Sequence, residues 1–148
     1  MPEAPLAGVR VLDMTRLLPG NFATVMLVEM GAEVIKIEAP EGDGTRWVAP
    51  HLPSGESGAF VQLNRGKSSR VIDLKAQEGR EEFSSLLAAA DVLVDSFRPG
   101  VLDRLGFSRE DLQRLRPNLV HVTIDAYGSG GELEQVPERL GGVAVVLD

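Results

Sequence analysis

The chain alternates between short apolar runs and segments in which apolar residues recur at helical spacing. Apolar runs of about 4–8 residues bounded by turn residues are typical of buried strands, whereas a period near 3.6 residues is typical of helices. This pattern predicts strands at residues 9–14, 33–38, 70–74, 91–95 and 119–124, with a sixth candidate at residues 143–147.

The same pattern predicts three helices, and polar or glycine residues mark their ends. Asn21 is placed to cap a helix over residues 22–30, and Gly31 would stop it. A second helix is predicted over residues 78–90. Ser108 and Asp111 have the spacing of a capping box, which opens a third helix through Leu115.

Strands that alternate with helices predict a parallel sheet covered by helices, so the expected fold class is a Rossmann-like α/β structure. Ligands of such sheets bind beyond the carboxyl ends of the strands. A long loop at residues 39–58, with three Pro and four Gly, lies in this region. The segments that follow the predicted strands are 15–21, 39–45, Lys75, 96–100 and 125–131.

Composition limits the classes of partner. The chain has 148 residues, 22 acidic and 15 basic side chains, a net charge of −7 and no cysteine. This acidity disfavours binding to a nucleic-acid backbone, and the lack of cysteine excludes thiolate chemistry and cysteine-bound zinc. No apolar run reaches the ~20 residues of a membrane span. We expect a single-domain, soluble, cytoplasmic protein with no nucleic-acid or membrane partner.

Several familiar motifs fail. Residues 66–68 read Gly-Lys-Ser like the end of a phosphate-binding loop, but Val61 stands where that motif needs glycine. Residues 17–21 lack the glycine fingerprint of dinucleotide-binding proteins. His51 and His121 have no metal-like spacing, so no metal site is predicted.

Two weaker signals each leave alternatives open. Residues 128–131 are either an amide nest for an anion or a flexible turn. Basic residues near the predicted strand ends could serve a compact polyanion such as a nucleotide phosphate, or they are ordinary surface charge. These residues are Arg65, Lys67, Arg70, Lys75, Arg98 and Arg104.

A collinear series of segments resembles a known family from about Pro5 to Gly131. The segments are Pro5-Leu-Ala-Gly-Val-Arg-Val-Leu-Asp13, Gly31-Ala-Glu-Val-Ile-Lys-Ile-Glu38, Gly42-Asp-Gly-Thr-Arg46, Asn64-Arg-Gly-Lys-Ser68, Ile72-Asp-Leu-Lys75, Ala90-Asp-Val-Leu-Val-Asp-Ser-Phe-Arg-Pro-Gly100, Leu102-Asp-Arg-Leu-Gly106, Pro117-Asn-Leu-Val120 and Tyr127-Gly128. Together they resemble the opening of the class III coenzyme A transferases, which include formyl-CoA transferase, carnitine CoA-transferase and α-methylacyl-CoA racemase.

The resemblance implies a Rossmann-like domain that holds coenzyme A or acyl-CoA, in subunits that form interlocked dimers. It places Lys75, Phe97 and Arg104 at the CoA nucleotide. It places Leu17, Leu18 and Pro19 along the CoA channel, with Ile72 and Val101 as apolar walls and Ser96 beside them. These residues are our predicted CoA-binding set.

Three positions depart from the family's usual residues. Leu18 stands where a polar residue is common, Ala39 where an arginine is common, and Ser96 where asparagine is usual. A hydrogen bond to a charged group contributes ~1.5–3 kcal/mol. These departures predict weaker or altered CoA binding.

The chain differs more strongly from the family in its catalytic residues. Its transferases use an Asp carboxylate, which forms mixed-anhydride and thioester intermediates, and its racemases use a His and an Asp. The resemblance places the essential Asp beyond residue 148, and a nearer active-site pair aligns with Arg139 and Leu140, neither of which is a general base near neutral pH. The terminal Asp148 is a poor substitute, so we expect a truncated or half-length CoA-binding domain whose carboxylate comes from a second chain or further sequence.

Two other interpretations remain open. The chain could be a non-catalytic partner or scaffold protein that kept the fold. A homo- or hetero-oligomer is expected both for this scaffold and for the CoA-binding domain. Alternatively it could be an enzyme with different chemistry in the same pocket, for which Asp13, Asp125 and Tyr127 are the weak catalytic candidates because they lie near strand ends.

Overall fold

A computed structural model describes residues 4–125 and the backbone of residues 144–147. Its strands are β1 (Arg10–Met14), β2 (Glu33–Glu38), β3 (Ser68–Val71), β4 (Val92–Asp95), β5 (Val120–Asp125) and β6 (Ala144–Leu147). They form one sheet in the order β3-β2-β1-β4-β5-β6. The first five strands pair in parallel and β6 pairs antiparallel with β5. The predicted Rossmann-like α/β fold is confirmed.

Helices connect the parallel strands. They are α1 (Leu17–Glu29), α2 (Gly58–Leu63), α3 (Gln77–Ala88), α4 (Val101–Arg104) and α5 (Arg109–Leu115), with a 3-10 turn at Gly44–Trp47 inside the long loop. No helix within residues 4–125 combines the length and apolar character that a membrane crossing requires. The short helices α2 and α4 are absent from the sequence-based prediction.

The prediction that Asn21 caps the first helix is wrong. Helix α1 begins at Leu17, and Arg16 precedes it without a side-chain cap. Asn21 is fully buried inside the helix, where its side chain binds Lys36 and Asp43 instead of the helix's own amides. The predicted capping box is confirmed, because the hydroxyl of Ser108 accepts a hydrogen bond from the Asp111 amide and the Asp111 carboxylate accepts one from the Ser108 amide.

The third strand is offset from its prediction. Strand β3 runs over Ser68–Val71 at the edge of the sheet, rather than over residues 70–74. The apolar signal at Ile72 and Leu74 is real, because both side chains are buried, but they lie beyond the last paired residue of the strand.

Apolar side chains cover both faces of the sheet, as expected for a parallel sheet with helices on each side. One face carries Leu12, Ile35 and Leu93 against α3 and α5, and the rings of Phe83 and Phe107 meet edge to face at 4.8 Å. The other face carries a smaller cluster that packs against α1, namely Val11, Ala32, Val34, Val94 and Ile124.

The strand order fixes where a crevice opens. Strand β1 lies between β2 and β4, so the chain leaves β1 toward one edge of the sheet and later returns to its other side. In an open parallel sheet the carboxyl ends of the strands at this reversal leave a gap between the two connections, which is where ligands bind. In this chain the gap lies beyond Met14 and Asp95.

Candidate functional site

A cleft of about 1010 Å³ opens at this point of the sheet. It is bordered by the segments that follow β1, β2, β3 and β4 and by the last two residues of β5. The structure brings together most of the predicted CoA-binding set here, together with one predicted catalytic candidate. The predicted residues that line the cleft are Leu17, Pro19, Ile72, Lys75, Ser96, Phe97, Val101 and Asp125.

Other predicted residues lie elsewhere. Leu18 is 64% exposed and does not line the cleft, and neither does Arg104, which ends α4. Asp13 is buried beneath the cleft without lining it. Predictions at Tyr127, residues 128–131, Arg139, Leu140 and Asp148 lie outside the described residues.

In one wall of the cleft a guanidinium group lies over an aromatic ring. The amide of Arg16 donates to the hydroxyl oxygen of Ser96 over 2.9 Å, which ties the β1–α1 segment to the residue after β4. The guanidinium carbon of Arg16 lies 5.3 Å from the centre of the Phe97 ring. A planar cation and an aromatic ring at this spacing can stack on a planar heteroaromatic group.

Arg16 is a functional candidate that the sequence reasoning missed. The available signal was a cation directly after β1, in a segment already expected to meet a ligand.

Two further cations stand at the cleft without a carboxylate partner among residues 4–125. Lys75 and Arg98 are exposed and line the cleft. The turn that presents Lys75 is well held, since the amide of Lys75 donates to Oδ1 of Asp73 over 2.9 Å and its carbonyl accepts from Arg80 over 2.8 Å. This arrangement leaves the Lys75 ammonium group facing solvent at the mouth of the cleft.

At the floor of the cleft lies a group of acidic and basic side chains that we call the buried charge cluster: Asp13, Lys36, Glu38, Asp43 and Lys67. Lys36, Glu38 and Asp43 line the cleft, whereas Asp13 and Lys67 do not. Nζ of Lys36 donates to the carbonyl of Thr15 over 3.0 Å and to Oδ1 of Asn21 over 2.6 Å. It also lies 2.8 Å from Oδ2 of Asp43, and both side chains of this pair are only 1% exposed. Lys36 therefore connects the segment between β1 and α1 to the loop that follows β2.

The pKa of Asp43 reflects this pairing. Burial raises it, but hydrogen bonds from Lys36, Thr45 and Asn21 more than offset that effect and lower it from 3.8 to about 2. The same carboxylate accepts hydrogen bonds from the amide and the hydroxyl of Thr45 and thereby caps the 3-10 turn, which begins at Gly44. Asp43 is thus ionised near neutral pH and organises the loop after β2.

Glu38, at the end of β2, is held in a similar way. Arg46 donates to its two carboxylate oxygens over 2.7 and 2.6 Å, and Ser69 donates over 2.6 Å. Burial raises its pKa, but these bonds lower it from 4.5 to about 2. Dinucleotide-binding folds use an acidic residue in this region for a ribose hydroxyl. In this chain Arg46, whose guanidinium also lies 3.7 Å from the centre of the Phe60 ring, occupies that carboxylate.

Lys67 and Asp13 complete the cluster. Nζ of Lys67 lies 2.9 Å from Oδ2 of Asp13, 2.7 Å from Oγ1 of Thr24 and 2.9 Å from Oδ1 of Asn64. Burial lowers the pKa of Lys67, and the charge of Asp13 opposes that shift. Lys67 therefore belongs to the interior rather than to the predicted anion-binding group.

The ion pair between Lys67 and Asp13 also bears on which residue could be catalytic. The second carboxylate oxygen of Asp13 accepts hydrogen bonds from the amide and the hydroxyl of Thr15 over 2.9 and 2.6 Å. Because Asp13 is saturated and does not reach the cleft, Asp125 is the candidate that faces it. Within residues 4–125, every buried side-chain nitrogen and oxygen has a hydrogen-bond partner, and no three His, Asp or Glu side chains converge on a point that could hold a metal.

Comparison with known proteins adds independent information. The model of CoA-transferase family III matches residues 6–141. The chain is 42% identical to acetyl-CoA:oxalate CoA-transferase of Acetobacter aceti over 137 residues, which are 92% of this chain and 35% of that protein. It is 41% identical to the probable fatty acyl-CoA transferase Rv3272 of Mycobacterium tuberculosis over 132 residues, 88% of this chain and 34% of that protein.

Solved structures agree with this relationship. A crystal structure of Rv3272 matches with a TM-score of 0.85 and 37% identity, covering 94% of this chain and 38% of that one. A CAIB/BAIF family protein from Brucella suis matches with a TM-score of 0.85 and 36% identity, covering 91% of this chain and 37% of that one. The chain thus spans about a third of the length of the relatives it matches.

Proposed function

The chain belongs to CoA-transferase family III, and from that premise we propose that its cleft binds coenzyme A and acyl-CoA as the CoA-binding part of an acyl-CoA transferase. The observation that carries the proposal is the sequence of surfaces along the cleft. A stacking wall, apolar side chains and two cations without a carboxylate partner in the described part of the chain all line this cleft. Coenzyme A offers the matching groups: a purine, phosphates and a largely apolar pantetheine chain.

The adenine ring is assigned to the wall formed by Phe97 and Arg16. Phe97 is half-buried and packs against the main core, so its ring has few alternative orientations. Stacking of a base on an aromatic side chain contributes ~1–3 kcal/mol. This term requires no particular hydrogen-bond pattern on the base.

The phosphates are assigned to Lys75 and Arg98. Both cations face the cleft, and neither has a carboxylate partner in the described part of the chain. Arg104 stays a prediction that the resemblance supplies, because it lies outside the cleft lining. Ala39 lines the cleft with no charge to offer, so Lys75 and Arg98 provide most of the attraction for the phosphates.

The pantetheine chain is assigned to the apolar lining. Leu17, Pro19, Ile72 and Val101 supply methyl and methylene groups along the cleft. Ser96 takes part indirectly, since its hydroxyl already accepts from the amide of Arg16 and so holds that wall in place. Leu18 contributes nothing to the cleft in this arrangement.

For the reaction itself, we propose that the catalytic carboxylate comes from outside this chain. In transfer by the family's chemistry, a carboxylate oxygen attacks the thioester carbonyl, an anhydride forms and the CoA thiolate leaves. The role of this domain is to retain the CoA while the acyl group is held elsewhere. Support comes from the length of the relatives, of which this chain spans about a third.

We also propose that the chain works as a homo- or hetero-oligomer. Helix α1 and its C-cap residue carry an outer stripe of apolar residues at i, i+4, i+8 and i+12 that are 42–64% exposed, namely Leu18, Phe22, Met26 and Met30. The opposite side of α1 is also apolar and packs on the sheet. A helix that is apolar all round is normally buried, so this outer stripe is suited to contact with another subunit.

Calorimetric titration of the chain with coenzyme A and acetyl-CoA tests the binding proposal. We expect saturable binding of both, and about tenfold weaker binding for Phe97→Ala because the stacking surface is lost. Trp47→Ala is the matched control, because Trp47 is 74% exposed and does not line the cleft. No heat of binding from the wild type would refute the proposal.

Asp125 supports a second candidate function, an enzyme with other chemistry in the same cleft. It is the acidic candidate that faces the cleft at the end of β5. If it is a general base, Asp125→Asn lowers turnover of an acyl-CoA substrate by about 100-fold while CoA affinity is kept. Unchanged turnover in that variant excludes this function.

The α1 stripe supports a third candidate, a non-catalytic scaffold. In that case a stable oligomer forms whether or not CoA is present, and the protein has no turnover. Light scattering during size exclusion, with and without CoA, measures the assembly. A monomer under both conditions rejects the scaffold and the oligomer together.

A further inference from the structure

A histidine and an aspartate form a close pair on the sheet just below the cleft. Nε2 of His121, on β5, lies 2.6 Å from Oδ2 of Asp95 at the end of β4. The Asp95 side chain is 2% exposed and that of His121 is 17% exposed. Neither residue lines the cleft, and neither belongs to the buried charge cluster or to the predicted CoA-binding set.

The two oxygens of Asp95 serve different parts of the molecule. Oδ2 accepts from His121 and, over 3.2 Å, from the hydroxyl of Thr123, both on β5. Oδ1 accepts from the amide of Phe97 over 2.8 Å, which closes the turn that follows β4. One carboxylate therefore links the side chains of β5 to the backbone that presents Phe97.

The orientation of this carboxylate depends on its partners. A carboxylate rotates easily about its last bond, so it is directional only when several donors fix it. His121 is the closest donor to Oδ2, and Thr123 is a weaker second one at a longer distance. Without His121, Oδ1 is less firmly directed at the Phe97 amide, and the ring is held less firmly in the cleft wall.

We propose that His121 is a positioning residue, which through Asp95 holds Phe97 in the orientation that stacks on the purine of the ligand. The inference rests on the proposed function, since it needs a purine-bearing ligand such as coenzyme A in the cleft. His121 touches neither the ligand nor the reacting atoms. Its effect reaches the ligand only through Phe97.

A double-mutant cycle measured by titration with coenzyme A tests this route. His121→Phe keeps an aromatic ring but cannot donate to Asp95, and we expect about fivefold weaker binding. In combination with Phe97→Ala we expect no further loss beyond the about tenfold effect of Phe97→Ala alone, because the ring that His121 positions is then gone. If the loss of CoA affinity in the double variant equals the product of the two single losses, the proposal is overturned.

Two further variants separate positioning from a general structural role. In His121→Gln the amide can still donate to Asp95, so we expect binding within about twofold of the wild type. His51→Leu is the matched control, because His51 is exposed and lies in the long loop away from the cleft. His121→Leu replaces His121→Phe if the latter does not fold, with the same expected loss.

Amide hydrogen exchange gives an independent measurement. In the free protein we expect the Phe97 amide to exchange faster in His121→Phe, with unchanged exchange of the Asp43 and Leu12 amides. Unchanged exchange at Phe97 would overturn the proposal. Wild-type binding of CoA without a His121 effect refutes this inference alone, whereas no wild-type binding of CoA refutes the proposed function as well.

Discussion

The buried charge cluster and the cations at the cleft mouth use the same residue types in opposite ways. Lys36 is 1% exposed and has three acceptors around its ammonium group. Lys75 is exposed, and its side chain forms no ion pair in the described part of the chain. Burial makes the internal pairing of Lys36 obligatory, whereas Lys75 remains available to a ligand.

This difference shows how an acidic protein can bind a polyanion. With a net charge of −7, its overall field repels phosphates. The three acidic groups of the cluster are paired with cations: Asp43 with Lys36, Asp13 with Lys67, and Glu38 with Arg46 at the edge of the cluster. Lys75 and Arg98 line the cleft without a carboxylate partner among residues 4–125, so local pairing rather than net charge leaves them available to a polyanion.

The largest effect should come from acid, which protonates the carboxylates of the buried charge cluster and so lowers the stability of the fold. The pKa values of Glu38 and Asp43 are lowered from 4.5 and 3.8 to about 2, so their pairing stabilises the fold fully above the ordinary values. That stabilisation is lost as the pH falls from about 4.5 to about 2. Thermal unfolding followed by circular dichroism between pH 7 and pH 2 should show a steep fall of Tm in this window.

Glu38→Gln is the control for the acid prediction. It removes one of the two titrating carboxylates, so the fall of Tm below about pH 4.5 should be shallower although the variant starts from a lower Tm. An equally steep fall in this variant would mean that other carboxylates cause the acid unfolding.

Lys36→Met should have the next largest effect. It leaves the Asp43 carboxylate and the Asn21 amide buried without their cation, which costs about 3–5 kcal/mol of unfolding free energy. Urea denaturation measures this loss. Lys75→Met is the matched control and should change the stability by less than about 0.5 kcal/mol; equal losses would contradict the distinction between the two lysines.

Lys75→Ala should have the opposite profile to Lys36→Met, because it affects ligand binding rather than stability. The variant loses a charge-assisted contact to a phosphate of ~1.5–3 kcal/mol, which is about a 10- to 100-fold weaker Kd for CoA. Stability should be unchanged. Arg70→Ala is the control, because Arg70 is an exposed cation that does not line the cleft, and an equal loss of affinity there would indicate nonspecific electrostatics.

Ser108→Ala should have the smallest effect and provides a reference remote from both regions. It removes the hydroxyl of the capping box at α5 and should cost about 1 kcal/mol of stability, with an unchanged Kd for CoA. Ser85→Ala, whose hydroxyl bonds only to a carbonyl one turn earlier in α3, should cost less than about 0.5 kcal/mol. A change in CoA affinity in either variant would show that stability alone alters the cleft.

The sheet and the cleft position followed from local patterns in the sequence. Strands buried on both faces read as apolar runs, and the alternation of strands with helices gave their parallel direction. The Ser108–Asp111 cap was recognisable because its donor and acceptor lie three residues apart. Helices α2 and α4 are too short for a period to be visible, so no such pattern announced them.

The buried charge cluster could not be predicted in this way. Lys36 interrupts an apolar run, and a lysine is normally found at the surface, but this one is buried and its partners come from α1 and the loop after β2. Asp13 and Lys67 are 54 residues apart, and nothing local in either segment reveals the other. Asn21 has the chemistry of a cap, and only the fold shows that Lys36 uses it instead.

The central position of β1 has a consequence for how the chain folds as it is synthesised. Strand β1 leaves the ribosome before its neighbours, yet Val11 pairs with Val34 on one side and with Val92 on the other. The middle of the sheet therefore stays incomplete until about 80 further residues have emerged, because both partners must be present. During that interval Val11 and Leu12, which are fully buried in the folded protein, lack the cover of β4, and this apolar surface is open to aggregation.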